Sequence, residues 1–147
     1  MRTAAVLAVL VAVLVGATAC SRDPQAVYCD TVEEHQEALG EVAAAEDSAS
    51  LLDALPAYRD LADDAPRDIA PDWDQVVGAL AALETAVAEA DVDPDEYDAA
   101  KPPADVTAED RAAIERAAED LGSEATVEAM GRVEQHALDV CGTPLSS

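Results

Sequence analysis

Cys29 and Cys141 stand near the two ends of what reads as the folded part of the chain, and that placement constrains the fold more than any other feature. In an oxidising compartment the two are natural partners. A bond between them ties the first structured segment to the last and closes almost the whole domain into one loop. Loops of that size gain about 4–5 kcal/mol on the chain-entropy account of disulfide stabilisation. The third cysteine, Cys20, is the odd one. An odd cysteine in an exported chain is a reactive thiol, an intermolecular link or a modified residue.

Ahead of Cys20 the chain reads Met1-Arg2-Thr3 and then AAVLAVLVAVLVGATA. A short basic start, an apolar stretch and a small-residue end are the layout of a secretory signal peptide, expected over residues 1–19. As a permanent span, Thr3–Ala19 sits at the lower edge of the roughly 17–25 residues that cross the hydrocarbon core, so export is the better reading. No later stretch is apolar for a comparable length. Removal of the signal leaves enough chain for one domain with a real core and too little for two.

The stretch LVGATACS at 14–21 resembles the lipobox of bacterial lipoproteins. Thr18 and Ala19 fit that pattern, Ala17 stands where the family usually has Leu, and Cys20 matches the residue that takes the diacylglyceryl thioether. The resemblance implies that Cys20 is the lipid attachment site, carrying acyl chains such as palmitate on its sulfur and its amino group. One chain binds a bilayer only marginally, while two suffice for stable anchoring. The protein would then sit on the extracytoplasmic face of the cell membrane, with the membrane as its first partner. Ala17-Thr18-Ala19 is equally a site for ordinary signal peptidase, so a secreted, unlipidated protein is the alternative. More loosely, VYCD, DDAPRDIAPDW and LDVCGTPL resemble small Ala- and Asp-rich lipoproteins of high-GC Gram-positive bacteria, many without a known function. That likeness implies a helical fold and no activity.

Composition agrees with helices. Half the residues are hydrophobic, yet aromatics make up 3% and Phe is absent; the apolar content is mainly Ala, Val and Leu, which suits closely packed helices better than a β-sandwich. SRDPQA after Cys20 reads as a polar spacer, giving an expected tether over 20–27. From Val27, the residues Cys29, Val32, Gln36, Leu39 and Ala43 recur at steps of three and four. Ser50 opens a second helix with Leu51, Leu55, Tyr58 and Ala62 on one stripe. Pro66 and Pro71 break it. A third runs from about Trp73 to Ala90, with Trp73, Val76, Val77, Leu80, Leu83 and Val87 on one side. DVDPDEYDAAKPPADV reads as a surface loop. Thr107 starts a fourth helix with Ile114, Ala117, Ala118 and Leu121 inside, and Gly122-Ser123 ends it. The last carries Val127, Met130, Val133, Ala137 and Cys141 and stops at Gly142. The expectation is an all-α, up-and-down bundle of about five helices over 28–142, its first and last helices joined by the disulfide, followed by a tail over 143–147.

A formal net charge of −24, with Lys101 as the single lysine, disfavours nucleic acid and direct electrostatic docking on anionic lipid. His35 and His136 lie at similar depth below the cysteines. At about 100° per residue, however, each faces well away from its helix's cysteine, so both are expected as solvated surface residues with no metal between them. Asp91, Asp93, Asp95 and Asp98 alternate like calcium-loop ligands. Glu96 and Pro102 stand where such a loop needs Gly and Glu, and an acidic, solvated loop is the reading that remains. Trp73 is expected in the core. No nucleophile elbow, zinc motif or phosphate loop is present, and paired carboxylates in so acidic a chain carry no signal. The expected function is a non-enzymatic, membrane-anchored interaction or accessory module without cofactor, with an envelope protein as its partner. The alternative is a lipoprotein binding a small apolar or cationic ligand in a gap between helices, rimmed with carboxylates.

Overall fold

Asp23 and Pro24 fix where the first helix starts. The Asp23 carboxylate accepts a hydrogen bond from the Gln25 amide at 3.1 Å, and Pro24 at the first helical position has no amide proton to leave unpaired. In the computed structural model, which describes residues 23–45 and 48–146, α1 therefore spans Pro24–Ala45 and begins inside the expected tether. Residues 1–19 and Cys20 lie outside the described residues.

Six helices appear among the described residues: α1, α2 (Ser48–Asp53), α3 (Leu55–Asp63), α4 (Ala70–Glu89), α5 (Ala108–Leu121) and α6 (Glu124–Cys141). The architecture is all-α, as expected, with one helix more. The helix expected from Ser50 is divided at Ala54, because the Pro56 ring cannot follow within a continuous helical ladder but is at home in the first turn of α3. Thr107 caps α5 by accepting from the Asp110 amide at 3.1 Å, and Ser123 caps α6 by accepting from Thr126 at 3.3 Å. At the end of α4, Asp91 takes the left-handed conformation (φ 53°). Its amide bonds the Ala88 carbonyl and the Val92 amide bonds that of Val87, the two bonds of a Schellman ending.

α4 is the central helix, packed against α2, α3, α5 and α6. The main core gathers Trp73, Tyr28, Leu55, Leu61, Leu80 and Val133, all nearly or fully buried. A second cluster of Leu83, Ala86, Val87, Ile114 and Ala117 joins the far half of α4 to α5. α6 presents Ala129, Val133 and Ala137 to the core at successive turns, each without exposed surface, and these small residues let it approach α4 closely.

One inward position on α6 differs from expectation. Val127 is 60% exposed and Thr126 is buried in its place. The threonine can be buried because its hydroxyl is satisfied: it donates to the Asp120 carbonyl at 2.9 Å and accepts from Gln75 Nε2 at 3.0 Å. Ala118 likewise turns outward, while Tyr28, counted on no apolar stripe, is fully buried.

α1 and α6 run antiparallel and are joined by the Cys29–Cys141 disulfide across 112 positions, with Cα atoms 5.3 Å apart. The tail expected over 143–147 folds back on the bundle. Gly142 adopts φ 72°, Gln36 Nε2 donates to the Pro144 carbonyl at 2.6 Å, and Leu145 is 2% exposed in the main core. Among the described residues, no helix is long and apolar enough to cross a membrane.

Candidate functional site

The seam between α1 and α6 is closed at the disulfide and open further along. Next to the disulfide, Trp73 Nε1 donates to the Tyr28 hydroxyl at 3.2 Å, and the Tyr28 ring meets His136 edge-on with centroids 5.6 Å apart. Burial pushes the Tyr28 phenol up, and the Trp73 hydrogen bond offsets part of that rise.

Three to four turns along α1, the helices enclose a cleft of about 530 Å³. That volume falls within the range of about 300–1,000 Å³ typical of small-molecule sites. Leu39 and Val42 of α1, Val76 and Leu80 of α4, and Val127 and Met130 of α6 supply its apolar walls. Leu51 and Leu121 extend them, and the returning tail adds Leu145. Gly131 faces the same space, and a Cβ built on it meets nothing within 4 Å.

Thr126 and Ser146 bring hydroxyls to this lining, and Tyr58 and Glu134 break it with larger polar groups. Tyr58 is 6% exposed, stacks at a tilt 6.0 Å from Trp73 and lines the cleft. Its hydroxyl has no hydrogen-bond partner among the described residues. Glu134, one turn beyond Met130 on α6, stands at the rim and forms no ion pair there either. Burial raises the Tyr58 phenol above its ordinary value, and the Glu134 charge raises it further.

The sequence-derived candidates fall elsewhere. His35 bonds Asp60 at 3.2 Å, and His136 approaches Asp68 at 3.5 Å. The expectation of solvated histidines is corrected: their side chains are 20% and 13% exposed, because α3 covers one and Tyr28 the other. They engage different carboxylates. Asp93 and Asp98 use their side chains to accept from the Asp95 and Ala100 amides at 3.0 and 2.8 Å, which fixes turns in the loop. Among the described residues, no group of three or more His, Cys, Asp or Glu is placed to hold a metal ion. Trp73 is core, with no exposed surface.

Sequence reasoning did not single out Glu134, Gly131 or Leu145. Gly131 carried a signal, since glycine inside a helix costs about 0.5–1 kcal/mol relative to alanine and invites a reason. Leu145, an isolated apolar residue after the helix stop, carried a weaker one. The chain matches no protein-family model, no curated protein and no solved structure.

Proposed function

We propose that this chain is a non-enzymatic lipoprotein of the extracytoplasmic membrane face that binds a small, largely apolar ligand between α1, α4 and α6. The observation that carries the reading is the cleft of about 530 Å³, whose walls are apolar side chains of the main core and its borders. Interiors are packed like organic crystals and hold few voids larger than a water molecule, so an apolar cleft of this size is a default binding-site reading. The disulfide supports an oxidising compartment. Anchoring through Cys20 would put the closed end of the bundle next to the bilayer. The cleft would then stand about 15–20 Å further along α1, at 1.5 Å per residue, open to molecules arriving from outside.

The neutral fluorophore N-phenyl-1-naphthylamine tests the binding reading. Saturable emission enhancement is expected with the native protein and loss of that enhancement with Gly131→Leu, which fills the cleft from open space. Absence of saturable binding to the native protein contradicts the reading. Intact mass of protein extracted from its own membranes tests the anchor: acylglyceryl groups on the chain starting at Cys20 are expected, and an unmodified mature mass means secretion without lipid.

A further inference from the structure

Glu134 is a carboxylate at the mouth of an apolar cleft and has no cation partner among the described residues. On the same helix, Glu128 lies 3.5 Å from Arg132, and Glu84 accepts from Arg59 at 2.8 Å. Among the described residues, no Lys or Arg lines the cleft. Beside Glu134, the Tyr58 hydroxyl offers a second acceptor on a side chain that is otherwise buried. A ligand head seated at this rim displaces the water that serves the phenol and the carboxylate, and it is favoured where it replaces those bonds.

An anionic head is repelled by Glu134 and by a chain of net charge −24. A neutral head can satisfy the hydroxyl but leaves the carboxylate to water. A protonated amine answers both, donating to the carboxylate and to the phenol oxygen with a charge-assisted bond. We propose that the cleft takes a small amphiphilic cation, its apolar body between α1, α4 and α6 and its ammonium head at Glu134 beside the Tyr58 hydroxyl. This assignment rests on the ligand-binding reading above and adds the chemistry of the head group.

Displacement of N-phenyl-1-naphthylamine by octylammonium, octanol and octanoate, at pH 7 and 0.15 M salt, tests it. The three share one tail and differ only at the head. Octylammonium is expected to displace the probe at about two- to fivefold lower concentration than octanol, the worth of an ion pair to an exposed carboxylate, with octanoate the weakest. Glu134→Gln should bring octylammonium level with octanol, and Tyr58→Phe should narrow the gap. The exposed Glu115→Gln, equal in charge change and remote from the cleft, should leave the order intact; at this ionic strength the field of distant acids is screened within about 8 Å. Equal displacement by all three, or a preference for ammonium that survives Glu134→Gln, overturns the head-group assignment while ligand binding stands. Failure of the native protein to bind the probe overturns both. Glu134 is exposed and unpaired, so its variant should keep the native helical circular dichroism, which is measured alongside.

Discussion

The two ends of the α1–α6 seam are built from opposite materials. At one end a covalent bond, a buried Trp–Tyr hydrogen bond and an edge-on His ring hold the helices together, and the space between them is filled. Along the other stretch the same two helices offer Leu39, Val42, Val127 and Met130 to a gap that no side chain of the described residues fills. A bundle stapled at one end does not need its whole seam to be tightly packed. Stability supplied by the disulfide end lets the open stretch keep an apolar cavity that would otherwise cost dispersion contacts. Stabilising contacts are concentrated at one end of the helix axis, and open apolar surface at the other.

The largest test of that division removes the staple. Replacing both Cys29 and Cys141 by alanine should lower unfolding stability by about 4–5 kcal/mol, read from urea midpoints under non-reducing conditions. A loss under about 1 kcal/mol would mean that the closed end is held by packing alone. Next come two leucine truncations of identical chemistry. Leu55, without exposed surface, should cost about 4 kcal/mol as Leu55→Ala because a sealed void is left. Leu39 already borders the cleft, so Leu39→Ala only enlarges an open space and should cost about 2 kcal/mol. Equal losses would erase the contrast.

How far this contrast was legible in the sequence depends on the residue. Cys29 and Cys141 disclosed the staple because their positions alone place them at opposite ends of the domain. The stripes of Val32, Leu39, Val76, Leu80 and Val133 disclosed the core through helical spacing. Val127 was misplaced because Thr126, polar by type, is buried once Asp120 and Gln75 satisfy its hydroxyl, and periodicity cannot foresee a partner 51 residues away. The split at Ala54 was visible in Pro56 but outweighed by the apolar stripe that continues across it. The cleft itself was not legible. A cavity is a property of where helices stop touching, and a single sequence records which residues are apolar, not the distance between the faces that carry them.

A smaller effect concerns how α6 begins. Ser123→Ala should cost about 1 kcal/mol, since the Thr126 amide then loses its cap, and the same measurement on Thr107→Ala should give a similar loss for α5. If Ser123→Ala costs much more, the cap also holds buried Thr126 in place and the open stretch depends on it. Gly131→Ala works in the opposite direction, because the added methyl meets open space; a gain of about 0.5–1 kcal/mol is expected in thermal unfolding. The least effect at neutral pH comes from the phenols. Both Tyr28 and Tyr58 have folded-state values raised above about 10, so the folded state retains the proton more strongly than the unfolded chain. Their contribution is complete below that pH and is lost as pH rises through the folded values. Urea midpoints should therefore fall above pH 10, and Glu134→Gln should lower the Tyr58 phenol, followed by its ultraviolet titration, while leaving that of Tyr28 in place.

The central claim, that the open stretch of the seam receives a ligand while the stapled end does not, is tested most directly by methyl-resolved nuclear magnetic resonance with N-phenyl-1-naphthylamine. Saturating shifts at the methyls of Val42, Val127, Met130 and Leu145, with Val32 and Ala137, each buried one turn from a bridging cysteine, unmoved, are the result this account predicts. Shifts scattered over the bundle, or concentrated around Val32 and Ala137, would contradict it.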